Sequence, residues 1–108
     1  MNYFPIKNFE FKGVMENCED LYHKYVAILM NITTQQISLV PFGNIYETHY
    51  RDTTKLNSYS HLDTNNLDMR TKYILENQLL IRGGYINSTY FEMRFLYSFN
   101  PFYINSNI

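Results

Sequence analysis

The order of apolar and polar residues predicts a β-hairpin in the first half of the chain. Residues 22–30 and 36–42 are apolar runs rich in β-branched and aromatic side chains, and a short polar stretch separates them. Two such runs with a short polar connection are typical of an antiparallel hairpin. The second run ends at Phe42-Gly43, which indicates a turn, and residues 45–50 are expected to continue as a short strand.

A polar loop and a helix are expected next. Residues 52–66 are rich in Thr, Asn, Ser and Asp, which predicts a loop. A helix is predicted over residues 66–82, because Asn65 or Asn66 can act as its N-cap and Asp68 suits its first turn. Two glycines follow its expected end. The apolar residues of this helix recur at spacings of four and seven, on one broad face: Leu67, Met69, Tyr73, Ile74, Leu80 and Ile81.

Residues 90–99 have two interpretations. Their apolar side chains alternate strictly along the chain, which favours a strand. Thr89 with Glu92 forms a capping box, and Asn100-Pro101 is a plausible helix stop, which together favour a helix. The alternation leans toward a strand, and both interpretations stay open.

Both ends of the chain are expected to be extended arms. Residues 1–11 and 101–108 contain or begin with Pro5 and Pro101, which interrupt regular structure. The rings at or near these ends are predicted to form a contact surface: Tyr3, Phe4, Phe9, Phe11, Phe99, Phe102 and Tyr103. The expected architecture is a single α+β domain over residues 1–108, with a small antiparallel sheet or hairpin packed on one or two helices.

The aromatic content adds an argument about the surface. The chain has 11 Tyr, 8 Phe and no Trp, an aromatic fraction of 18%. Each ring buries roughly 150–250 Å², so a core of this size needs only some of them. Clustered rings at a surface usually mark a partner. A biased base composition of the gene, which would raise Tyr, Phe, Asn and Ile together, is the competing explanation.

Charge and cysteine count exclude several classes of protein. Nine basic and ten acidic residues give a net charge of -1, without the basic field that duplex DNA binding requires. The single Cys18 excludes a disulfide within the chain. No 18-residue apolar run and no signal-like start occur, which predicts a soluble protein that is not exported.

One set of residues is a candidate for chemistry. Four side chains could converge on a metal or on proton transfer: His49, Asp52, His61 and Asp63. They lack a compact motif such as His-Glu-x-x-His, so loop caps and ion pairs are the favoured interpretation. Cys18 lies among carboxylates, an environment that disfavours a reactive thiolate. We therefore predict no catalytic residue, no metal and no cofactor.

Several different short motifs follow one another through the middle of the chain. They are Tyr25-Val26-Ala27, Val40-Pro41-Phe42-Gly43, Tyr46-Glu47-Thr48, His61-Leu62-Asp63 and Arg70-Thr71-Lys72-Tyr73. This series resembles a family of small uncharacterised proteins encoded by large DNA viruses and some phages. The resemblance implies a viral origin and favours a helix over residues 90–99. The chain is less basic than that family and has Tyr97 in place of a Trp, which weakens a phosphate-binding role.

A structural cluster is predicted where these motifs meet. We expect Asp63 to orient Arg70 or to cap the helix, which requires no substrate. The predicted members of the cluster are Phe42, Gly43, Tyr59, His61, Asp63, Arg70 and Tyr73.

These observations predict a non-enzymatic viral structural or assembly protein that acts through an aromatic protein–protein contact surface. Its partner is expected to be another protein or further copies of itself within a larger assembly. The expected location is the virion or the host cytoplasm, away from membranes. The alternative is a nucleic-acid-associated protein that stacks bases on exposed Tyr and Phe rings, and an enzyme is the third possibility.

Overall fold

The chain forms two sheets and two helices in the computed structural model, which describes residues 3–81, 83–102 and 104–106. The strands are β1 (Phe4–Pro5), β2 (Phe9–Glu16), β3 (Tyr25–Asn31), β4 (Ile37–Phe42), β5 (Tyr85–Ile86) and β6 (Asn105–Ser106), and the helices are α1 (Leu67–Asn77) and α2 (Ser88–Leu96). One sheet has the strand order β4-β3-β2-β6, and β1 pairs separately with β5. The predicted α+β class is confirmed.

The predicted hairpin is formed by β3 and β4. The two strands pair antiparallel, with Tyr25 opposite Phe42 at the open end. At the closed end the side-chain oxygen of Asn31 accepts hydrogen bonds from the amides two and three residues further on. Gln35 has a left-handed backbone with φ 62°. An Asn side chain can stabilise such a turn by replacing a backbone acceptor, and this local chemistry is why the hairpin could be predicted.

The N-terminal segment differs from the predicted arm. β2 begins at Phe9 and pairs antiparallel with β3, so it is an inner strand of the sheet. Phe11 is only 2% exposed and lies in the core. Pro5 is followed by one 3₁₀ turn, Ile6–Asn8, and then the sheet begins. A proline removes one amide donor without preventing the next residues from pairing. The prediction of an arm over residues 1–11 is therefore wrong for Phe9 and Phe11.

The C-terminal segment also packs against the domain. Phe102 stacks on Tyr90 with 4.8 Å between ring centroids. The Tyr90 hydroxyl donates a hydrogen bond of 2.8 Å to the carbonyl of Phe102. Further on, β6 pairs in parallel with β2. Tyr103 and residues 107–108 lie outside the described residues. The described part of the predicted arm over residues 101–108 is thus held on the surface of the chain itself.

Helix α1 begins where the sequence indicates. The side-chain oxygen of Asn66 accepts a 3.1 Å hydrogen bond from the amide of Met69, which confirms an N-cap at Asn66. After α1 a 3₁₀ turn runs over Gln78–Leu80. The α-helix thus ends at Asn77, and Ile81 is already extended, so the prediction of a helix as far as Arg82 is wrong.

The segment with two interpretations forms helix α2, so the strand pattern was misleading. Its N-cap is Asn87, whose side-chain oxygen accepts a 2.8 Å hydrogen bond from the amide of Tyr90. The capping box predicted from the sequence placed the N-cap at Thr89, two residues after the observed N-cap. Asn is a strong N-cap residue because its short side chain reaches the first free amides.

Helix α2 has a strand-like pattern because neighbouring elements enclose it. The Phe91 ring lies 5.4 Å from that of Phe11 and 6.0 Å from that of Phe42, both in the large sheet. Just beyond its end, Tyr97 stacks on Tyr73 of α1 with 3.7 Å between centroids and 5° between planes. A helix buried on several sides is apolar on several sides. Its sequence then loses the periodicity that marks a surface helix.

The position of Phe11 gives a direct test of the inner strand. Replacing Phe11 by Ala is expected to lower the free energy of unfolding by about 3–5 kcal/mol, because a buried ring leaves a cavity. The control is Tyr46→Ala, since Tyr46 is 77% exposed, and its effect should stay within about 0.5 kcal/mol. Urea unfolding followed by circular dichroism measures both. If both variants lowered the free energy of unfolding by the same small amount, Phe11 would lie on an arm, as the sequence predicted.

Candidate functional site

A lysine, a histidine and an aspartate form a connected chain in the interior. Lys24 and His49 are each 1% exposed. The Lys24 Nζ atom lies 2.9 Å from His49 Nδ1 and donates to the carbonyl of Glu47 at 2.7 Å. On the other side of the ring, His49 Nε2 lies 2.6 Å from Asp63 Oδ1. We call these three side chains the Lys24–His49–Asp63 chain.

The partners of His49 decide its tautomer. A lysine ammonium group can only donate hydrogen bonds, so His49 Nδ1 has to accept from Lys24. The ring proton then lies on Nε2, which donates it to the Asp63 carboxylate. His49 is therefore held as a neutral imidazole between a cation and an anion. Burial lowers the pKa of His49 below its ordinary value of 6.5, and the Lys24 charge lowers it further while Asp63 opposes the shift.

Backbone contacts place His49 beside Asp63. The amide of His49 donates to the carbonyl of Leu62 at 3.2 Å, and the amide of Thr64 donates to the carbonyl of His49 at 2.9 Å. The two segments form an isolated parallel bridge between His49 and Asp63. The expected strand over residues 45–50 is thus reduced to this one bridge. Turns and bends take its place because the loop has to bring His49 over Lys24.

Gly43 makes the loop possible. Its backbone has φ 77°, a left-handed conformation that favours glycine. A Cβ atom at this position would lie 2.9 Å from Leu96 Cδ1 and 3.1 Å from Lys24 Cδ. The turn predicted at Phe42-Gly43 therefore has a second requirement that the sequence did not reveal, which is the close approach of the lysine and of α2.

A second hydrogen-bonded branch starts from the same aspartate. The amide of Asp52 donates to Asp63 Oδ1 at 2.8 Å. The carboxylate of Asp52 accepts from the Tyr25 hydroxyl at 2.5 Å and from the hydroxyl of Thr54 at 2.7 Å. The Tyr25 oxygen in turn accepts from the amide of Ser58 at 3.0 Å. These bonds attach the loop to strand β3.

The pKa values of this branch follow from its hydrogen bonds. Burial alone would raise the pKa of Asp52, but the bonds from Thr54 and Tyr25 outweigh burial and lower it. Burial, together with the bond to Asp52, raises the pKa of Tyr25 to about 12. Asp52 therefore stays ionised and Tyr25 stays protonated at neutral pH.

A half-buried carboxylate on helix α2, that of Glu92, interacts electrostatically with the lysine. Burial raises the pKa of Glu92, while hydrogen bonds from the Tyr73 side chain and the Gly43 backbone oppose the shift. Burial also raises the pKa of Tyr73, with Glu92 as its next cause. The pKa of Lys24 is lowered by burial, and Glu92 is the largest influence in the opposite direction. The charges of Lys24 and Glu92 thus stabilise each other across the interior.

The arrangement suits a structural lock better than a reaction. Both ring nitrogens of His49 are engaged, and Lys24 Nζ is bonded to two acceptors. Neither side chain reaches the surface. A general base needs a free nitrogen within reach of a substrate, and this histidine offers none.

Three of the four candidate residues converge, and His61 does not. His49, Asp52 and Asp63 are linked by the hydrogen bonds above. His61 is exposed and its ring lies 6.1 Å from that of Tyr59. The favoured interpretation of the set as loop caps and ion pairs agrees with these contacts.

The predicted structural cluster is only partly assembled. Tyr59 packs edge-on against the Tyr25 ring with centroids 5.3 Å apart. The prediction that Asp63 orients Arg70 is wrong. Arg70 Nε donates to the carbonyl of Tyr97 at 2.7 Å, and its other end bonds the carbonyl of Ser98. Arginine commonly satisfies carbonyls left free at a helix end, so here it ties α1 to the end of α2.

The rings predicted as a contact surface are mostly engaged within the chain. Phe4 packs edge-on against Phe9 at 5.3 Å, and both rest against the core. Tyr3 lies edge-on to Tyr85 at 6.4 Å. Phe99 lies beneath the Arg70 guanidinium at 5.9 Å. The remaining exposed area of this set consists of the edges of half-buried rings, those of Tyr3, Phe4, Phe9, Phe99 and Phe102.

Two residues of the interior were missed from the sequence. Lys24 interrupts an otherwise aromatic and aliphatic run, 23 residues before Glu47 and 25 before His49. Glu92 stands between apolar residues of α2. A charge inside an apolar run was the available signal for both. It could not identify their partners, because those lie far away in sequence.

Comparisons with known proteins add no relative. No protein-family model matches the chain, and neither a curated protein nor a solved structure shows significant similarity to it. Within the described part of the chain, no helix is long and apolar enough to cross a membrane. In the same residues no group of three or more His, Cys, Asp or Glu side chains is arranged to hold a metal ion.

The neutral state of His49 predicts how stability depends on pH. Between its lowered pKa in the folded state and 6.5, His49 is protonated only when the chain is unfolded. The unfolded state then binds more protons, so the free energy of unfolding rises with pH across this window. The contribution of His49 to stability is lost as pH falls below about 6.5. The variant His49→Gln should remove this part of the pH dependence, because glutamine does not titrate.

The matched control for this prediction is His61→Gln, an exposed position. Urea unfolding of the three proteins between about pH 5 and pH 8 covers the titration range of histidine. The raised pKa of Glu92 contributes a slope of opposite sign in every variant, so the difference between variants isolates His49. An unchanged slope in His49→Gln would contradict a neutral, buried ring.

Proposed function

We propose that this chain is a non-enzymatic structural or assembly protein of a viral particle, and that it works by binding a second copy of itself. The contact we assign is an exposed strip of leucines on α1 and the turn after it. The single observation that carries the proposal is that α1 buries no residue completely although five of its eleven residues are apolar or aromatic: Leu67, Met69, Tyr73, Ile74 and Leu75. The resemblance to small viral proteins supports the setting, in the virion or the host cytoplasm.

The leucine strip consists of Leu67, Leu75 and Leu79. Their side chains are 65%, 60% and 89% exposed. Leu67 and Leu75 lie about 80° apart around α1, because each residue of a helix turns by about 100°, and Leu79 follows in the 3₁₀ turn over Gln78–Leu80. A soluble domain seldom leaves large apolar side chains together on one face unless that face has a partner. The opposite side of α1 is occupied by Met69 and Tyr73, which pack on the core.

Charges beside the strip favour a second copy as the partner. Lys72 and Glu76 are exposed on the same helix and lie 3.9 Å apart. In an antiparallel pair of α1 helices related by a two-fold axis at the level of residue 74, Lys72 of each copy lies opposite Glu76 of the other. Such an axis also brings the two Leu75 side chains close together. Self-complementary surfaces of this kind are what a two-fold interface requires.

The interior supports a structural role over a catalytic one. The Lys24–His49–Asp63 chain has no free ring nitrogen and no exposed atom on Lys24 or His49 to meet a substrate. Such a network fixes the loop between β4 and α1 in one conformation. A rigid loop then holds α1 in place with its leucines directed outward, which is a useful property in an assembly unit.

Sedimentation equilibrium tests the leucine strip. The wild-type chain is expected to form dimers with increasing concentration, and the double variant Leu75→Gln/Leu79→Gln is expected to stay monomeric. Its melting temperature should change little, because both side chains are exposed. The control is Leu21→Gln, since Leu21 is 83% exposed at a distant position and should leave dimerisation intact.

A charge reversal tests the identity of the partner. Lys72→Glu should weaken the dimer by placing like charges opposite each other, and Lys72→Glu/Glu76→Lys should restore it. A wild-type chain that stays monomeric at its highest soluble concentration would overturn the proposal. So would a dimer that survives the double leucine substitution.

A further inference from the structure

A groove lined by two cations lies between the sheet, the loop after Asp52 and helix α2. Its volume is about 290 Å³, near the lower end of ordinary ligand pockets. Apolar lining comes from Phe11, Val14 and Phe95, and the cations are Lys55 and Arg94. This groove is distinct from the buried Lys24–His49–Asp63 chain and from the leucine strip.

Arg94 is held in the groove by aromatic faces. The centre of its guanidinium group lies 4.8 Å from the centroid of Phe11 and 4.9 Å from that of Phe95. Both distances are in the range of cation–π contacts. Among the described residues, Arg94 makes no ion pair and no hydrogen bond. Its N–H donors, five in a guanidinium group, therefore remain available to an acceptor that enters the groove.

Lys55 adds a second positive charge at the same groove. Its backbone is left-handed, with φ 71°, and the amide that follows it is fixed by a 3.2 Å hydrogen bond to Thr54 Oγ1. Its ammonium group has no ion-pair partner among the described residues. Asp52, the nearest acid in sequence, is already bonded to Tyr25 and Thr54. None of the described residues that line the groove is acidic.

The backbone of β2 makes the space for this groove. The pairing of β2 with β3 shifts register between Phe11 and Gly13, which is a β-bulge. Gly13 has φ 132° and lines the groove without a side chain. Bulges are common next to binding sites because they redirect neighbouring side chains. Here the bulge lies beside the ring of Phe11, over which Arg94 is placed.

From this geometry we propose that the groove binds a phosphate monoester whose organic part is flat and apolar. Two cations in a groove whose described lining includes no acidic residue match the charge of a phosphate monoester, which is about −1.5 to −2 at neutral pH. The guanidinium group suits phosphate oxygens because it offers paired N–H donors. The apolar walls of Val14 and Phe95 then receive the organic part.

Phenyl phosphate is the probe that combines both features. Titration of the ¹⁵N-labelled chain, followed by NMR, should give saturable shifts centred on residues of the groove, with a dissociation constant of about 1 mM or lower. Inorganic phosphate and phenol, each with half of the probe, should bind at least about tenfold more weakly. The two fragments separate recognition of the charge from recognition of the ring.

Variants assign the site to its two cations. Arg94→Gln and Lys55→Gln should each weaken phenyl phosphate binding at least about tenfold, and Arg94→Lys should restore part of the loss. Lys55 is exposed, so its variant keeps the fold even if Arg94→Gln disturbs the packing on Phe11. The control is Lys7→Gln, an exposed lysine outside the groove, which should bind like the wild type.

Four results would overturn the assignment. They are no saturable binding of phenyl phosphate, unchanged binding by Lys55→Gln, equal binding of inorganic phosphate, and tighter binding of a single-stranded oligonucleotide that lacks a terminal phosphate. The last result would indicate that the groove binds nucleic acid and not a small phosphate monoester. Each is measured in the same titration with the same labelled chain.

Discussion

The buried ammonium group of Lys24 is the constraint on which the rest of the structure depends. Removing such a charge from water costs several kcal/mol unless hydrogen bonds and opposite charges compensate for it. The compensation comes from the carbonyl of Glu47 and the ring of His49, both in the loop after β4. If that loop moved away, the lysine charge would lie against the core without compensation. The folded sheet therefore depends on the loop.

Further partners extend the network from the lysine to strand β3 and helix α2. Asp63 connects His49 to Asp52, which is bonded to the Tyr25 hydroxyl on β3. Glu92 on helix α2 adds an opposite charge that raises the pKa of Lys24 against the effect of burial. Removing one member of such a network is costly because its buried partner is left unsatisfied. Among the described terminal rings, Phe4 and Phe9 rest against the core and Phe102 stacks on Tyr90.

How much could be predicted from the sequence depended on how local the signal was. The hairpin and the N-cap at Asn66 follow from side chains within a few residues of each other, and both were predicted. Helix α2 was ambiguous because an enclosed helix loses its periodicity, and Pro5 suggested an arm where the sheet in fact begins. His49 and Asp63 were recognised as candidates. Their link to Lys24 was not, because burial of a lysine is decided by contacts 25 residues away.

The protonation of His49 shows most directly whether Lys24 donates to its ring. Nitrogen chemical shifts of its imidazole ring, measured by long-range ¹H–¹⁵N NMR at about pH 7, report each ring nitrogen separately. The account predicts a neutral ring with its proton on Nε2 and an unprotonated Nδ1 that accepts from Lys24. A proton on Nδ1, in either the neutral or the charged ring, would mean that Lys24 does not donate to it, and would contradict the central role of the buried lysine.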